Sequence, residues 1–269
     1  MLSRVRSFIK EHNLLDINGG IVLVGLSGGA DSVSLLDVLC KLGYDCVALH
    51  CNFHLRGEES ERDESFAREF AKRKKVPYFA IDFQTVSFAE KNKLSIEMAA
   101  RQLRYDWFEE MRKKLNAQAV AVAHHRDDSI ETLLMNLMRG SGIRGLVGIR
   151  PKNGYVVRPL LCVSRADIQD WLGQIGQTYV TDSTNFSDEY TRNYIRLRML
   201  PSMEQLNPAV RVTLARSAMH LSAAEEIYLS VLEKARKELW KGNSLSIPQL
   251  LAYPASETIL YEMLRARIR

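Results

Sequence analysis

The 269-residue chain has no apolar run of the roughly 20 residues that a membrane-spanning helix requires. Its opening stretch, MLSRVRSFIKEHNLL, has the period of an amphipathic helix and lacks the continuous apolar centre of a secretory leader. Four cysteines are present, Cys40, Cys46, Cys51 and Cys162, and none stands in a C-x-x-C pair. A disulfide framework or a structural zinc is therefore not expected, and the chain reads as cytoplasmic with reduced thiols. There is no fixed-period repeat and no low-complexity tract. A large charge excess is also missing. The net charge of +5, with a pI near 9.0, permits a nucleic-acid partner without demanding one. A composition of 46% hydrophobic and 26% charged residues is that of an ordinary globular chain, long enough for one large domain or for one domain and a smaller one.

What the sequence does contain is organised around IVLVGLSGGADS, Ile21 to Ser32. Ile21 to Leu26 read as a buried parallel strand, Ser27 to Ser32 as a tight turn, and Val33, Leu35, Leu36, Val38 and Leu39 as the inner face of a helix. A strand, a glycine-rich turn and a helix N-terminus make an anion site, because free backbone N–H groups and the positive end of the helix dipole converge there. The turn lacks the Gly-Lys-Ser/Thr of a Walker loop, and Gly25, Gly28 and Gly29 do not give the dinucleotide fingerprint. It resembles the SGGxDS loop of the ATP pyrophosphatase superfamily, which splits ATP between its α and β phosphates.

Further strands are expected at Asp45–Phe53, Val76–Phe83, Ala119–Ala123 and Tyr155–Val157. Helices fill the intervals, so the fold class is α/β: a doubly wound, mainly parallel five-stranded sheet, Rossmann-like, followed by a small helical C-terminal region. Residues 3–15 form a helix stopped by Asn18-Gly19-Gly20, a charged helix runs over about 59–74, and Lys152-Asn153-Gly154 is a turn signal. Ser164 caps a short helix with Asp167 in an approximate capping box, and Tyr179 to Asn185 read as strand and turn.

His50, Asn52, His54, Leu55 and Arg56 fall at the C-terminal end of the second strand, the edge that carries ligands in doubly wound sheets; a polar surface loop has the same composition. The helix Ser95–Leu115 places Glu97, Arg101, Arg104 and Tyr105 along one stripe. Its two arginines can clamp phosphates or a carboxylate; a Glu97–Arg101 surface pair worth a few tenths of a kcal/mol is the competing reading. HHRDDSIET follows the fourth strand and crowds His124, Asp127, Asp128 and Glu131 at a helix start. Such acids bind Mg²⁺, hold an ammonium ion or orient a nucleophile; helix capping explains one or two of them but not His124 and the whole set. Gly140, Gly142, Gly145 and Gly148 make a flexible connector carrying Arg139, Arg144 and Arg150. Of the later arginines, Arg192 beside Asn193 is a ligand candidate, whereas Arg196 and Arg198 read as an inert surface.

In order, SGGADS, HCNFHLRGEESERDE, SIEMAARQLRYDWF, AHHRDDSIETLLMNLMRGSGIRGL, RPLL with SRADI, and TDSTNFSDEYTRNYIR resemble the bacterial tRNA(Ile)-lysidine synthetase family over about residues 20–200. The resemblance implies a ligase using ATP and Mg²⁺. The wobble cytidine of a CAU anticodon in tRNA(Ile) is adenylated, and free L-lysine then displaces AMP. It implies that Ser27, Gly28, Gly29, Ala30, Asp31 and Ser32 bind the pyrophosphate part of ATP, with Asp31 at the metal, and that His50, Asn52 and His54 flank the nucleotide. Asp31, Asp128, Glu131 and Arg101 form the implied catalytic set, and Arg56, Arg104, His124, Asp128, Glu131 and Arg192 the substrate contacts. No membrane is implied, and a homodimer is allowed. The catalytic domain spans residues 1–205. Residues 206–269 form a helical domain that departs from longer members and is either a short natural form or truncated. Competing readings are another loop-sharing tRNA-modifying or amidating enzyme, and a nucleotide- or RNA-binding module that releases no pyrophosphate.

Overall fold

The computed structural model describes residues 1–181, 191–242 and 244–268. Thus Asp182 to Asn185, in the expected strand and turn, lie outside the described residues. In chain order the elements are α1 (Leu2–Glu11), β1 (Val22–Gly25), α2 (Ala30–Lys41), β2 (Cys46–Asn52), α3 (Glu58–Arg73), β3 (Tyr78–Asp82), α4 (Thr85–Asn92), α5 (Ile96–Lys114), β4 (Ala119–Ala121) and α6 (Arg126–Met138). Then follow α7 (Ile143–Leu146), β5 (Lys152–Asn153), β6 (Val156–Val157), a 3₁₀ turn (Pro159–Cys162), α8 (Arg165–Gln174), α9 (Thr191–Tyr194), a π-helical turn (Ile195–Met199), α10 (Leu200–Leu206) and the long α11 (Val210–Leu239). A small hairpin, β7 (Trp240–Lys241) and β8 (Ser244–Leu245), leads to α12 (Ile247–Leu251) and α13 (Ser256–Ile268). Among the described residues no helix is long and apolar enough to cross a membrane.

The main sheet has the order β3-β2-β1-β4-β6-β5. Its pairs are parallel except β5 with β6. Among the described residues this sheet has six strands rather than the five expected. The sixth is the Lys152–Asn153 pair, whose composition reads as a turn because Gly154 directly follows. The chain reverses at Gly154 and returns as β6. α1 also ends earlier than expected, at Glu11, where Asn13 adopts φ 47°; Asn18-Gly19-Gly20 lie in the connector beyond.

β1 is apolar on both faces because both faces are covered. Val22, Val24 and Leu26 pack with α1, α2, α3 and α8, while Leu23 packs with Val47, Leu49, Val120 and the Trp107, Phe108 and Met111 side of α5. Strand order reverses at β1, which pairs with β2 on one side and β4 on the other. The crevice at the C-terminal ends of β1 and β4 is therefore the topological switch point, where open α/β sheets hold ligands. A third cluster seats the later helices on α6 through Ile130, Leu133, Leu134, Ile195, Leu200 and Ala218.

One buried charge ties three helices on the α2 side of the sheet. Asp37 is fully buried and meets Lys41 at 3.0 Å, Lys74, and the indole N–H of Trp171 at 3.0 Å. Both lysines reach solvent, so losing Asp37 does not strand two buried charges. Asp37→Ala is expected to cost about 2 kcal/mol, the price of one unsatisfied indole donor and a small cavity, measured as a lower urea midpoint. An unchanged midpoint would contradict the role.

Candidate active site

The loop after β1 is tied back on itself. The Ser27 N–H donates to Ser32 Oγ at 3.1 Å, and Ser32 Oγ donates to the Gly29 carbonyl at 3.0 Å. Gly29 is the N-cap of α2 with no side-chain cap, so the first N–H groups of the helix remain available to an anion. Gly28 has φ +92°, a region that side chains disfavour. A Cβ there would also come within 2.8 Å of Val180 Cγ2 and 3.3 Å of the Asp63 carbonyl oxygen. Val180 closes the outer side of the loop, its N–H donating to the Gly28 carbonyl at 3.0 Å. Nothing local in the sequence announces this contact, because Val180 lies far along the chain.

The C-terminal end of β2 supports this loop from within. His50 is buried, and its Nδ1–H donates to the Leu26 carbonyl at 2.8 Å. Burial holds its pKa below the ordinary histidine value, so the ring is neutral at pH 7. Asn52, also buried, donates to Glu64 at 3.1 Å and Glu61 at 3.3 Å, and its carbonyl accepts the His54 N–H. His54 meets Asp82 at 2.7 Å and Glu61 at 3.3 Å, and Arg56 donates to Asp63 at 2.9 Å. All four side chains expected at ligands are thus bound within the protein. The Arg104 guanidinium lies over Phe53, and Arg101 over Tyr105.

Opposite the loop stands the first turn of α6. His125, not His124, is the N-cap: its Nδ1 accepts the Asp128 N–H, and Asp128 Oδ2 accepts the His125 N–H at 3.0 Å. With Nδ1 accepting, the ring proton sits on Nε2, which faces Asp31 Oδ2 at 3.8 Å. The signal for His125 was the H-x-x-D spacing of a capping box. His124 has a shielded Nδ1 without a hydrogen-bond partner. Burial first, then Arg158, Arg192 and Arg101 against the opposing pull of Asp128, lowers its pKa to about 4. Asp31 has one shielded oxygen, Oδ1, without a hydrogen-bond partner, and desolvation raises its pKa.

Asp127 faces away from the crevice chemistry. Its Oδ2 accepts the Arg165 N–H at 2.7 Å, and its Oδ1 lies 3.3 Å from Arg211, so it ties α8 and α11 to α6. Glu131 is wholly buried and takes a two-pronged bond from Arg196 at 2.7 and 2.9 Å. Burial raises its pKa against the pull of that guanidinium. Arg192 lies 3.7 Å from Glu131 and donates to Thr132 at 3.3 Å. Arg196 is therefore a buried site residue, not an inert surface one. The loop and the turn thus bring Asp31, His124, Asp128, Glu131, Arg101 and Arg192 into one electrostatic neighbourhood. Arg104, His54 and Arg56 stand toward β2 and β3. A separate concavity of about 330 Å³ runs along α1, lined by Ser3, Arg4, Ser7, Phe8, Glu11 and Cys162. It includes no residue of the loop or the turn and lacks a convergent acid or base set.

A family model described as a PP-loop domain matches residues 3–203. The chain belongs to the PP-loop family. It is 63% identical over 266 residues to the tRNA(Ile)-lysidine synthase of Parabacteroides distasonis, covering 98% of this chain and 60% of that protein. It is 51% identical over 260 residues to the protein of that name from Bacteroides thetaiotaomicron, covering 97% and 61%. With the one from Petrotoga mobilis it shares 35% over 219 residues, covering 80% and 70%. The chain thus spans about three-fifths of the length of the first two relatives. Its PP-loop fold is similar to the U34-tRNA thiolase NcsA of Methanococcus maripaludis, with a TM-score of 0.66 at 18% identity over 81% of this chain and 77% of that one. The NMN synthetase of Francisella tularensis gives 0.52 at 13% identity over 81% and 94%.

Two outcomes follow for this PP-loop site. Gly28→Ala introduces about 1–3 kcal/mol of backbone strain and pushes the loop from Val180, so calorimetric binding of an ATP analogue weakens about tenfold or more while unfolding stays cooperative. Unchanged binding would show that the loop conformation is not needed. For His124 the folded pKa lies below the unfolded one, so the unfolded chain binds more protons between pH 6.5 and 4. Stability contributed above pH 6.5 is lost as pH falls through that window, and His124→Gln should flatten the decline in thermal midpoint. An identical pH profile would place the histidine in a solvated setting.

Proposed function

We propose that this chain carries the catalytic machinery of a tRNA(Ile)-lysidine synthase, with residues 1–205 as the catalytic domain and 206–269 as an appended helical domain. The observation that carries the reading is the pairing, across one switch-point crevice, of an uncapped anion loop with a desolvated acid turn. The relatives' shared name supports it.

In this reading ATP is a substrate, its phosphates held by the N–H groups of the Ser27–Ser32 loop and the first turn of α2 that are not spent within the loop. Among the described residues no group of three or more His, Cys, Asp or Glu side chains could hold a metal by itself. Mg²⁺ needs only one or two carboxylates when phosphates supply further oxygens, and the orphaned Oδ1 of Asp31 fits that need. The ion would offset charge on the departing pyrophosphate. The 2-carbonyl oxygen of the wobble cytidine attacks the α-phosphorus and pyrophosphate leaves. The ε-amine of lysine then attacks C2, and the oxygen departs with AMP. An anticodon-loop base is reachable for this chemistry because it can be splayed from its stack. Lysine has an ordinary pKa of about 10.4, so its ammonium must shed protons before and during attack. Asp128 and Glu131 hold that cation and draw off the proton. Arg192 pairs with the lysine carboxylate, and Arg101 and Arg104 position phosphate or cytidine. His50, Asn52 and His54 shape the nucleotide side by fixing the β2 edge rather than by direct bonds.

The test is incorporation of labelled L-lysine into a tRNA(Ile) transcript with a CAU anticodon, with ATP and Mg²⁺. The reading predicts labelling that is absent when the wobble cytidine is replaced by uridine. It predicts a loss of about a hundredfold in Asp31→Asn. Equal labelling of both transcripts, or no labelling while ATP and lysine both bind, would overturn it.

A further inference from the structure

Glu131 is completely buried, and Asp128 beside it keeps a side-chain exposure of 14%. An isolated carboxylate in such a place would take up a proton, and these are instead compensated chiefly by one guanidinium. Arg196 binds both oxygens of Glu131, and its Nη2 stands 3.6 Å from Asp128 Oδ1. Asp128 Oδ2 is committed to the cap of α6. The cation position between the two acids is therefore filled by the protein's own side chain.

Three further features bear on how firmly it is filled. Arg196 projects from the π-helical turn Ile195–Met199, a local under-winding that is frequent at functional positions. The Leu200 N–H closes the turn on the Ile195 carbonyl, so small backbone adjustments can move the arginine without unwinding α10. Arg192 stands beside it, 3.7 Å from Glu131, with its Nε lacking a hydrogen-bond partner. Arg196 also interacts electrostatically with Asp31 at the anion loop. The guanidinium is thus held by the acids of α6 and coupled through charge to the anion loop.

We propose that Arg196 is a specificity-determining residue that occupies the amine subsite as an internal substitute for the substrate's ammonium group. Phosphate in the Ser27–Ser32 loop draws the guanidinium off Glu131 and Asp128. The carboxylates are then open to an incoming alkylammonium, and the amine binds after the nucleotide. The site rejects neutral side chains, which leave the buried Glu131 unpaired, and admits a compact ammonium. This inference rests on the lysidine-synthase reading for the identity of the amine.

The test is calorimetric titration of the whole chain with L-lysine, with and without a non-hydrolysable ATP analogue. L-norleucine, which lacks the ε-ammonium, is the control. In the unaltered protein lysine binds measurably more tightly with nucleotide present. In Arg196→Gln that dependence disappears, and lysine without nucleotide binds about tenfold more tightly, the factor by which the occupied state suppresses apparent affinity. Because Arg196→Gln uncovers a buried acid and can fail to fold, a second readout uses the unaltered sequence. The slowly exchanging Nε–H signal of Arg196 is assigned by its absence in Arg196→Lys. It should shift when nucleotide and lysine saturate the protein. Lysine binding that is independent of nucleotide, or an unmoved Nε–H signal at saturation, overturns the proposal and leaves the amine reading standing. Absence of lysine binding alongside normal nucleotide binding overturns both.

Discussion

Glu131 sits at 0% exposure on the first turns of α6, and that burial governs the layout of the site. A carboxylate so placed is stable only beside a cation with matched geometry, because desolvation costs several kcal/mol per ion. Arg196 supplies that match, and it comes from a segment distant in sequence. Asp127, just over one helical turn further back, is met by Arg211 from α11. The acids of α6 therefore dictate where the later helices sit, and the apolar cluster of Ile130, Leu134, Ile195 and Leu200 completes the same contact. Packing and charge compensation act together: the helical segment that covers α6 is also the one that neutralises it.

Across the crevice the polarity is opposite. The loop after β1 offers N–H groups and no side-chain positive charge, and its shape depends on support from behind. His50 donates to the Leu26 carbonyl, while Val180 closes the outer side at Gly28. Parallel pairing of β1 with both β2 and β4 fixes the separation between this loop and the acid turn. A site with the polarity to suit an anion on one wall and a cation on the other follows from strand order, helix dipole and the acids of α6. Asp31 stands at the boundary, facing His125 at 3.8 Å with one oxygen unpartnered.

Much of this was legible in the chain because it is local. The apolar run before Ser27, the glycine turn, the strongly periodic α5 and the acid-rich start of α6 each lie within a single window of sequence. Pairings over long separations were not legible. Nothing near Arg196 distinguishes it from Arg198, yet its partner Glu131 is 65 residues away and decides its burial. His50, Asn52 and His54 were placed at the right sheet edge, but His50 and Asn52 turn inward to Leu26 and Glu64, and His54 pairs with Asp82 at the surface. β5 escaped because a two-residue strand has no period to detect, and Lys-Asn-Gly carries turn chemistry. His125 was passed over for His124 because the N-cap position is set by where β4 ends, and boundaries are the least determined feature of a sequence pattern.

The central claim is that the anion loop and the acid turn face each other closely enough for a nucleotide and an amine to react between them. Paramagnetic relaxation measures this directly, with Mn²⁺–ATP bound to the chain and the protons of L-lysine observed by NMR. The account predicts strong relaxation that is greatest at the ε-methylene protons and is lost in Asp31→Asn. Both ligands bound without relaxation enhancement, or an effect greatest at the α-proton, would contradict it.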